Sequence, residues 1–151
     1  KRAKHITTTA KVPHKWNFEH DEIAYNYRMP NLNAALACAQ LEALPRLLES
    51  KRRVAGEYKN FFSKIKDVGF IDELSGSKSN FWLNAIQFDD LSTRDDFLEF
   101  SNKAKVMTRP CWKLMNELPI YKNCQTGDLS NSKKLSDLIV NIPSSPKMDS
   151  E

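Results

Sequence analysis

From Asn31 to Ile65 the apolar residues recur with a period close to 3.6, and a helical pattern of that length leaves few folds open. The stripe runs through Leu32, Ala35, Leu36, Ala39 and Ala43, then Leu44, Leu47, Leu48, Val54, Ala55, Tyr58, Phe61, Phe62 and Ile65. The opposite face is charged, with Glu49, Lys51, Arg52, Arg53, Glu57 and Lys59. More than thirty helical residues extend roughly 50 Å, more than a compact domain of this size needs, so the element is expected to join two domains. Pro45 cannot donate its backbone N–H and crowds the preceding turn. It predicts either a kink or a fresh helix with Pro45 in its first turn. Asn31, just after Pro30, suits an N-cap. Cys38 falls on the apolar stripe and is expected in the core.

The remaining pattern is mixed. Residues 1–5 read as the last turn of a helix and 6–20 as an ordered loop with extended pieces; 22–27 are β-capable. Residues 67–79 hold Gly69, Gly76 and several serines, which predicts loop or short strand. Residues 80–88 form the best strand in the chain. Ser92 and Asp95 have capping-box spacing ahead of a helix over 94–104. A short strand at 106–109 should stop at Pro110, a short helix is expected over 111–118, and Pro119 should end it. A last helix spans 132–139, a short extended piece 141–143, and the tail after Ser144 is expected to be disordered. Few strands, antiparallel, with helices on one face make an α+β layer. The expected division is 1–30, the long helix at 31–66, a small domain at 67–146, and a tail at 147–151.

Composition excludes several classes. Hydrophobic residues are 40% and charged residues 28% of the 151, ordinary for a globular chain with one real core. No window approaches the roughly 18–20 apolar residues of a membrane span, and no apolar stretch follows the charged first residues. Three widely spaced cysteines, Cys38, Cys111 and Cys124, make a disulfide scaffold improbable and point to reduced thiols in the cytoplasm. Cys111 is expected to be a small buried residue. The formal charge of +4 resides in residues 1–20, where five Lys/Arg face Glu19 alone. That segment could meet phosphates or be a solvated basic tail. His5, His14 and His20 with Asp21 and Glu22 are the only metal-ligand candidates, in no recognised spacing, and no metal is expected. No P-loop, G-x-G-x-x-G or G-x-S-x-G is present. With no initiator Met, the chain reads as an internal piece of something longer.

The most informative stretch is Tyr25-Asn26-Tyr27-Arg28-Met29-Pro30-Asn31. An amide, a guanidinium and two phenols lie in a turn ahead of a helix start. Amide N–H groups, Arg and helix N-termini all suit phosphate oxygens. On residue chemistry alone an anion site and a structural turn are equally open.

This run resembles the DegT/DnrJ/EryC1/StrS sugar aminotransferases. Their pattern is Gly-aromatic-Asn-x-Arg-Met, then an Ala-rich helix with Gln-Leu. Here it reads Ala24-Tyr25-Asn26-Tyr27-Arg28-Met29, then Ala34-Ala35 and Gln40-Leu41. Ala24 departs from the usual Gly and is tolerable only where φ is negative. Further matches follow in order: Thr108-Arg109-Pro110 with Pro119-x-Tyr121, and Leu135 to Pro146 ending in Ile-Pro-Ser-Ser. The resemblance covers residues 5–146 and is greatest for the subgroup acting on 4-keto-6-deoxy sugar nucleotides of the bacillosamine or legionaminic-acid type.

The resemblance implies the C-terminal small domain of a type I, aspartate-aminotransferase-like enzyme. Its cofactor would be pyridoxal phosphate and its amino donor an amino acid such as glutamate, with the active site at a homodimer interface. Asn26 would reach the partner subunit's cofactor phosphate, and Arg28 would support that turn or meet an anion. Lys11, His14 and Trp16 would cover the neighbour's substrate pocket. Arg109, Trp112 and Tyr121 would lie near the sugar nucleotide, although core packing is the alternative for Trp112 and Tyr121. No lysine here stands in the family's covalent cofactor motif, so the chain alone is expected to be inactive. The competing reading is a non-catalytic module binding nucleotide sugar or nucleic acid, although the small charge surplus and lack of RNA-binding motifs argue against nucleic acid.

Overall fold

The computed structural model describes residues 1–147, which divide into two compact units, Lys1–Leu44 and the chain from Pro45 onward. The first unit begins with a short helix, α1 (Arg2–Thr7). Residues 22–27 return alongside it rather than forming a strand of their own. Tyr25 N–H donates to the Ile6 carbonyl and Tyr27 N–H to the Thr7 carbonyl, both at 2.9 Å, and Thr8 pairs antiparallel with Asn26. Between them the chain makes an excursion closed by the pairing of Lys11 with His20. Thr9 and Ala10 turn into it with φ of 69° and 47°, and Ala10 is fully buried, so a small side chain is needed there. Ala24 is not among the residues with positive φ, which explains why its Cβ is tolerated.

The long helix α2 (Asn31–Phe62) runs continuously through Pro45, so no fresh helix starts there. Its stripe is only partly covered. Ser50, Val54 and Ala55 are buried and Tyr58 and Phe62 pack on the core, but Leu32, Leu36, Leu44 and Phe61 are exposed. Cys38 is likewise exposed, contrary to the expectation of a core position. The stripe marks a face that needs cover, and among the described residues its N-terminal half is largely exposed.

The second unit is an α+β layer. Its antiparallel sheet has the order β1 (Val68–Phe70), β2 (Asn84–Phe88), β4 (Ile139–Ile142), β3 (Arg109–Pro110). Strand β2 alternates buried and half-buried residues, sending Asn84, Ile86 and Phe88 to the core face. Ile86, Phe88, Val140 and Ile142 form the core, against which Tyr58, Phe62, Val68, Phe70, Phe97 and Leu98 pack. Helix α3 (Leu91–Lys103) is capped not by Ser92 but by Asp90, whose carboxylate accepts from Thr93 N–H at 2.9 Å. The third strand includes Pro110 instead of stopping before it, which an edge position permits. No α-helix forms over 111–118. Two 3₁₀ turns, Met115–Glu117 and Pro119–Tyr121, take its place, and the second starts on the proline expected to terminate it. Helix α4 (Ser130–Leu138) runs directly into β4, so the strand begins at Ile139, where helix was expected.

The expected disorder after Ser144 does not hold for residues 144–147, which are tied to α2. Ser50 Oγ donates to the Lys147 carbonyl at 2.6 Å, and Lys147 Nζ pairs with Glu57 at the same distance. The rest of the expected tail, 148–151, lies outside the described residues.

Candidate functional site

The residues singled out above fall into two groups, one in each unit. In the first unit, Asn26 and Arg28 occupy an exposed turn. Asn26 Oδ1 accepts from Arg28 N–H at 3.2 Å, an Asx-type turn that consumes the acceptor end of the amide. The Nδ2 end has no protein partner among the described residues, and Arg28 has no carboxylate partner there. Tyr25 and Tyr27 stack at 5.8 Å between ring centres. Three residues on, α2 begins with no acidic residue in its first turn, so its N-terminal dipole is unneutralised from within. Asn26 Nδ2 and the Arg28 guanidinium are thus the donors the turn presents.

The basic excursion is shaped by its own side chains. Lys11 Nζ lies 3.6 Å over the Phe18 ring. His14 Nδ1 accepts from the N–H groups of Trp16 at 3.3 Å and Asn17 at 3.0 Å, closing the tip, and its ring meets Trp16 edge-on at 5.1 Å. Trp16 is exposed, so Lys11, His14 and Trp16 share one loop with the indole at its tip. His5, Asp21 and Glu22 also converge, with potential ligand atoms within 4.8 Å of one another. They are already satisfied: His5 Nε2 meets Asp21 at 2.6 Å and Arg2 meets Glu22 at 2.9 Å. His14 and His20 lie outside this cluster.

In the second unit an open cleft of about 420 Å³ is lined by residues from α2, the loop before β2, the approach to β3, and the segment after β4. Arg109 reaches it because the C-terminus of α3 fixes the preceding residue. Ser101 Oγ and Thr108 Oγ1 lie 2.6 Å apart, and Asn102 Nδ2 donates to the Thr108 carbonyl at 3.1 Å. The Arg109 guanidinium meets Met107 Sδ at 3.4 Å, and its backbone pairs with Asn141 in the sheet. Trp112 is not a core residue: it is 71% exposed and stacks on Trp82 at 6.2 Å. Tyr121 is half-buried in the second 3₁₀ turn and does not line the cleft. Cys111 is half-buried beside these residues, and burial pushes its thiol pKa up, the opposite of an activated nucleophile.

Two cleft residues, Lys51 and Trp82, carried no functional signal in the sequence. Lys51 Nζ donates to the carbonyls of Ser144 at 2.5 Å and Trp82 at 3.4 Å, and partial burial lowers its pKa. Ser144 Oγ in turn accepts from Asn84 N–H at 2.7 Å. The Asn84 amide is buried with both polar atoms unpartnered by protein.

Three solved structures share this fold at 18% identity. TlmJ from Streptoalloteichus hindustanus has a TM-score of 0.82 over 95% of this chain and 39% of that one. PseC from Helicobacter pylori has 0.81 over 94% and 39%. Spr1654 from Streptococcus pneumoniae, in its PLP form, has 0.79 over 97% and 38%. The chain belongs to the DegT/DnrJ/EryC1/StrS aminotransferase family, whose pattern it matches over residues 1–151. Among curated relatives, GDP-perosamine synthase from Vibrio cholerae is 33% identical over 132 residues, covering 84% of this chain and 35% of that protein. EpsN from Bacillus subtilis (strain 168) is 29% identical over 120 residues, covering 80% and 31%. The chain spans about a third of the length of the curated relatives it matches. No helix among the described residues is long and apolar enough to cross a membrane.

Proposed function

We propose that this chain is the part of a pyridoxal-phosphate-dependent sugar-nucleotide aminotransferase that binds and positions, while the covalent chemistry lies on residues outside it. The observation that carries this reading is the turn at residues 26–28, where an oriented amide N–H and an unpaired guanidinium stand ahead of an unneutralised helix N-terminus. That donor set fits the cofactor's phosphate. When bound, the cofactor supplies the electron sink through which an amino group moves from an amino acid, glutamate in the simplest case, to a 4-keto-6-deoxy sugar nucleotide. Asn26 contributes a hydrogen bond to a phosphate oxygen across a homodimer interface, and Arg28 adds charge to the same turn. Lys11, His14 and Trp16 cover a neighbour's pocket and limit its access to water. Arg109 and Trp112 meet the sugar nucleotide, with Tyr121 at its margin.

Residues 1–30 are, on this reading, an active-site loop of the large domain, 31–66 the connecting helix and 67–146 the small domain, in a cytoplasmic enzyme. The resemblance of residues 5–44 to the bacillosamine and legionaminic-acid subgroup supports a 4-keto-6-deoxy substrate, and the perosamine synthase relatives support a nucleotide-linked sugar. Lys51, the one lysine with a lowered pKa, is engaged by two carbonyls and is unsuited to a covalent role.

The test is Asn26→Ala in the complete enzyme. Losing one hydrogen bond to a charged group should weaken cofactor retention about tenfold, with the far-UV spectrum unchanged. Unchanged cofactor affinity would remove the phosphate role. For the chain alone, borohydride-fixed cofactor together with turnover would overturn the assignment of the covalent chemistry elsewhere.

A further inference from the structure

We propose that His5 is a positioning residue for the turn at residues 26–28, its imidazole fixing the register in which that turn and the basic loop leave α1. This rests on the phosphate reading above and adds to it a side chain that holds Asn26 in place without touching the cofactor.

Helix α1 supports the turn through its last carbonyls. The His5 carbonyl accepts from Ala10 N–H at 2.8 Å, that of Ile6 from Tyr25 and that of Thr7 from Tyr27, both at 2.9 Å. Thr9 N–H donates in turn to the Tyr25 carbonyl at 2.9 Å. Residues 25–27 therefore run alongside the helix end, with the rings of Tyr25 and Tyr27 stacked on one side. Successive side chains of an extended run alternate, so Asn26 faces the other side. A slip of one residue would turn it to the tyrosine side. Backbone bonds read no sequence, so side chains must set the register.

Two side-chain contacts do so. His5 Nε2 meets Asp21 Oδ1 at 2.6 Å and stands 3.9 Å from Glu22 Oε1, and Arg2 meets Glu22 Oε2 at 2.9 Å. The Arg2 side chain is 76% exposed, which makes its pair a weak tie, whereas the His5 ring is 30% exposed. Asp21 N–H also donates to the Ala10 carbonyl at 3.2 Å. The bonds close on themselves: Ala10 N–H to the His5 carbonyl, Asp21 N–H to the Ala10 carbonyl, and the His5 ring to the Asp21 carboxylate. This circuit ties α1, the entry to the basic loop and its exit to one another, and the His5 ring completes it.

The circuit also holds a strained backbone. Thr9 and Ala10 are consecutive left-handed residues, neither of them Gly, and Ala10 is fully buried. His20 adds a second imidazole at the neck, its Nδ1–H donating to the Thr9 carbonyl at 2.6 Å. Such a backbone persists only where its surroundings over-determine it, and it gathers at ligand sites. Here the loop carrying Lys11, His14 and Trp16 and the turn carrying Asn26 and Arg28 spring from one joint.

Substitutions in the complete enzyme test this. In the cofactor-free protein, His5→Ala should speed hydrogen exchange across residues 20–28 about tenfold, read by mass spectrometry, and leave residues 84–88 and 139–142 unchanged. Affinity for pyridoxal phosphate should fall about tenfold, as for loss of the Asn26 hydrogen bond, while affinity for pyridoxal, which has no phosphate, stays the same. His5→Gln, which keeps an N–H donor for Asp21, should restore both exchange and affinity. His5→Ala combined with Asn26→Ala should bind the cofactor no more weakly than Asn26→Ala alone, because His5 acts through that residue. Equal losses of pyridoxal and its phosphate, additive losses in the double variant, or unchanged exchange in His5→Ala would each overturn the proposal. Unchanged cofactor affinity in His5→Ala beside a weakened Asn26→Ala sinks this inference alone. Unchanged affinity in Asn26→Ala with faster exchange in His5→Ala sinks the phosphate role and leaves the register role of His5 standing.

Discussion

The apolar stripe of α2 treats Phe61 and its neighbours as equals, but the structure does not, and a pair of substitutions separates the two. Ile86, central in β2, is fully buried within the four-residue core, whereas Phe61 is 60% exposed on α2. Ile86→Ala removes three buried carbons at ~0.8 kcal/mol each, and the cavity left in so small a core brings the loss to about 3–4 kcal/mol. For Phe61→Ala, the covered 40% of a ring that can bury ~200 Å² corresponds to about 2 kcal/mol at ~25 cal/mol per Å². A compact unfolded chain and the retained Cβ reduce that to about 1 kcal/mol. Urea titration in the Trp16→Phe background follows the second unit through Trp82 and Trp112. With a slope of ~1.5 kcal/mol per molar, the midpoint should fall by about 2 M for Ile86→Ala and by under ~1 M for Phe61→Ala. Equal shifts, or a larger one for Phe61, would refute the assignment of the core to the sheet.

Three further outcomes are expected. Asp90→Ala should cost about 1 kcal/mol in the same titration and Ser92→Ala almost nothing, because Asp90 caps α3. Lys59 holds the Asp72 carboxyl below its ordinary pKa, Ser79 N–H and then Arg52 hold Glu73 below its own, and Thr93 N–H does so for Asp90. Carboxyls depressed on folding stabilise fully above their unfolded values and lose that contribution as pH falls through the folded ones. The urea midpoint should therefore drop below about pH 4, and Glu73→Gln should flatten that drop. Cys38 and Cys124 are exposed, whereas Cys111 is half-buried with a raised pKa, so a disulfide reagent at pH 8 should modify Cys111 at least about tenfold more slowly, read by peptide mapping.

Features encoded by local pattern were legible in the sequence, and those made by distant pairing were not. The 3.6-residue period located α2, and a β-capable run bounded by polar clusters located a strand at 80–88, of which only residues 84–88 form β2. Cover was not readable: the same period assigns Cys38 and Leu36 to a buried face, and among the described residues both are exposed. The α3 cap was misplaced because Asp89, Asp90, Ser92 and Thr93 are all capable caps and only geometry chooses among them. The start of β4 was hidden because α4 passes into it with no Gly or Pro between Leu138 and Ile139. The turn at Asn26 and Arg28 was visible because such a turn is local, closed between residues two apart. Trp82 was not, because its exposure depends on a left-handed φ at a phenylalanine, which no propensity indicates.

Ser144 shows how the end of a family-like segment can be a structural joint rather than an ending. The Ile-Pro-Ser-Ser run starts on the last residue of β4, and the tail was expected to fray just after Ser144. Instead Ser144 accepts from Asn84 N–H, donates to Ile142, and offers its carbonyl to Lys51. Tyr58 adds a hydrogen bond to the Pro143 carbonyl at 3.1 Å. One residue therefore joins the start of β2, the end of β4 and the middle of α2. Lys51 extends the joint to Trp82, so the stacked Trp82–Trp112 pair and the segment after β4 share a support. A change at Ser144 should disturb that pair although it touches neither indole. That dependence ties the last of the family-like segments to the cleft through contacts between residues more than ninety positions apart.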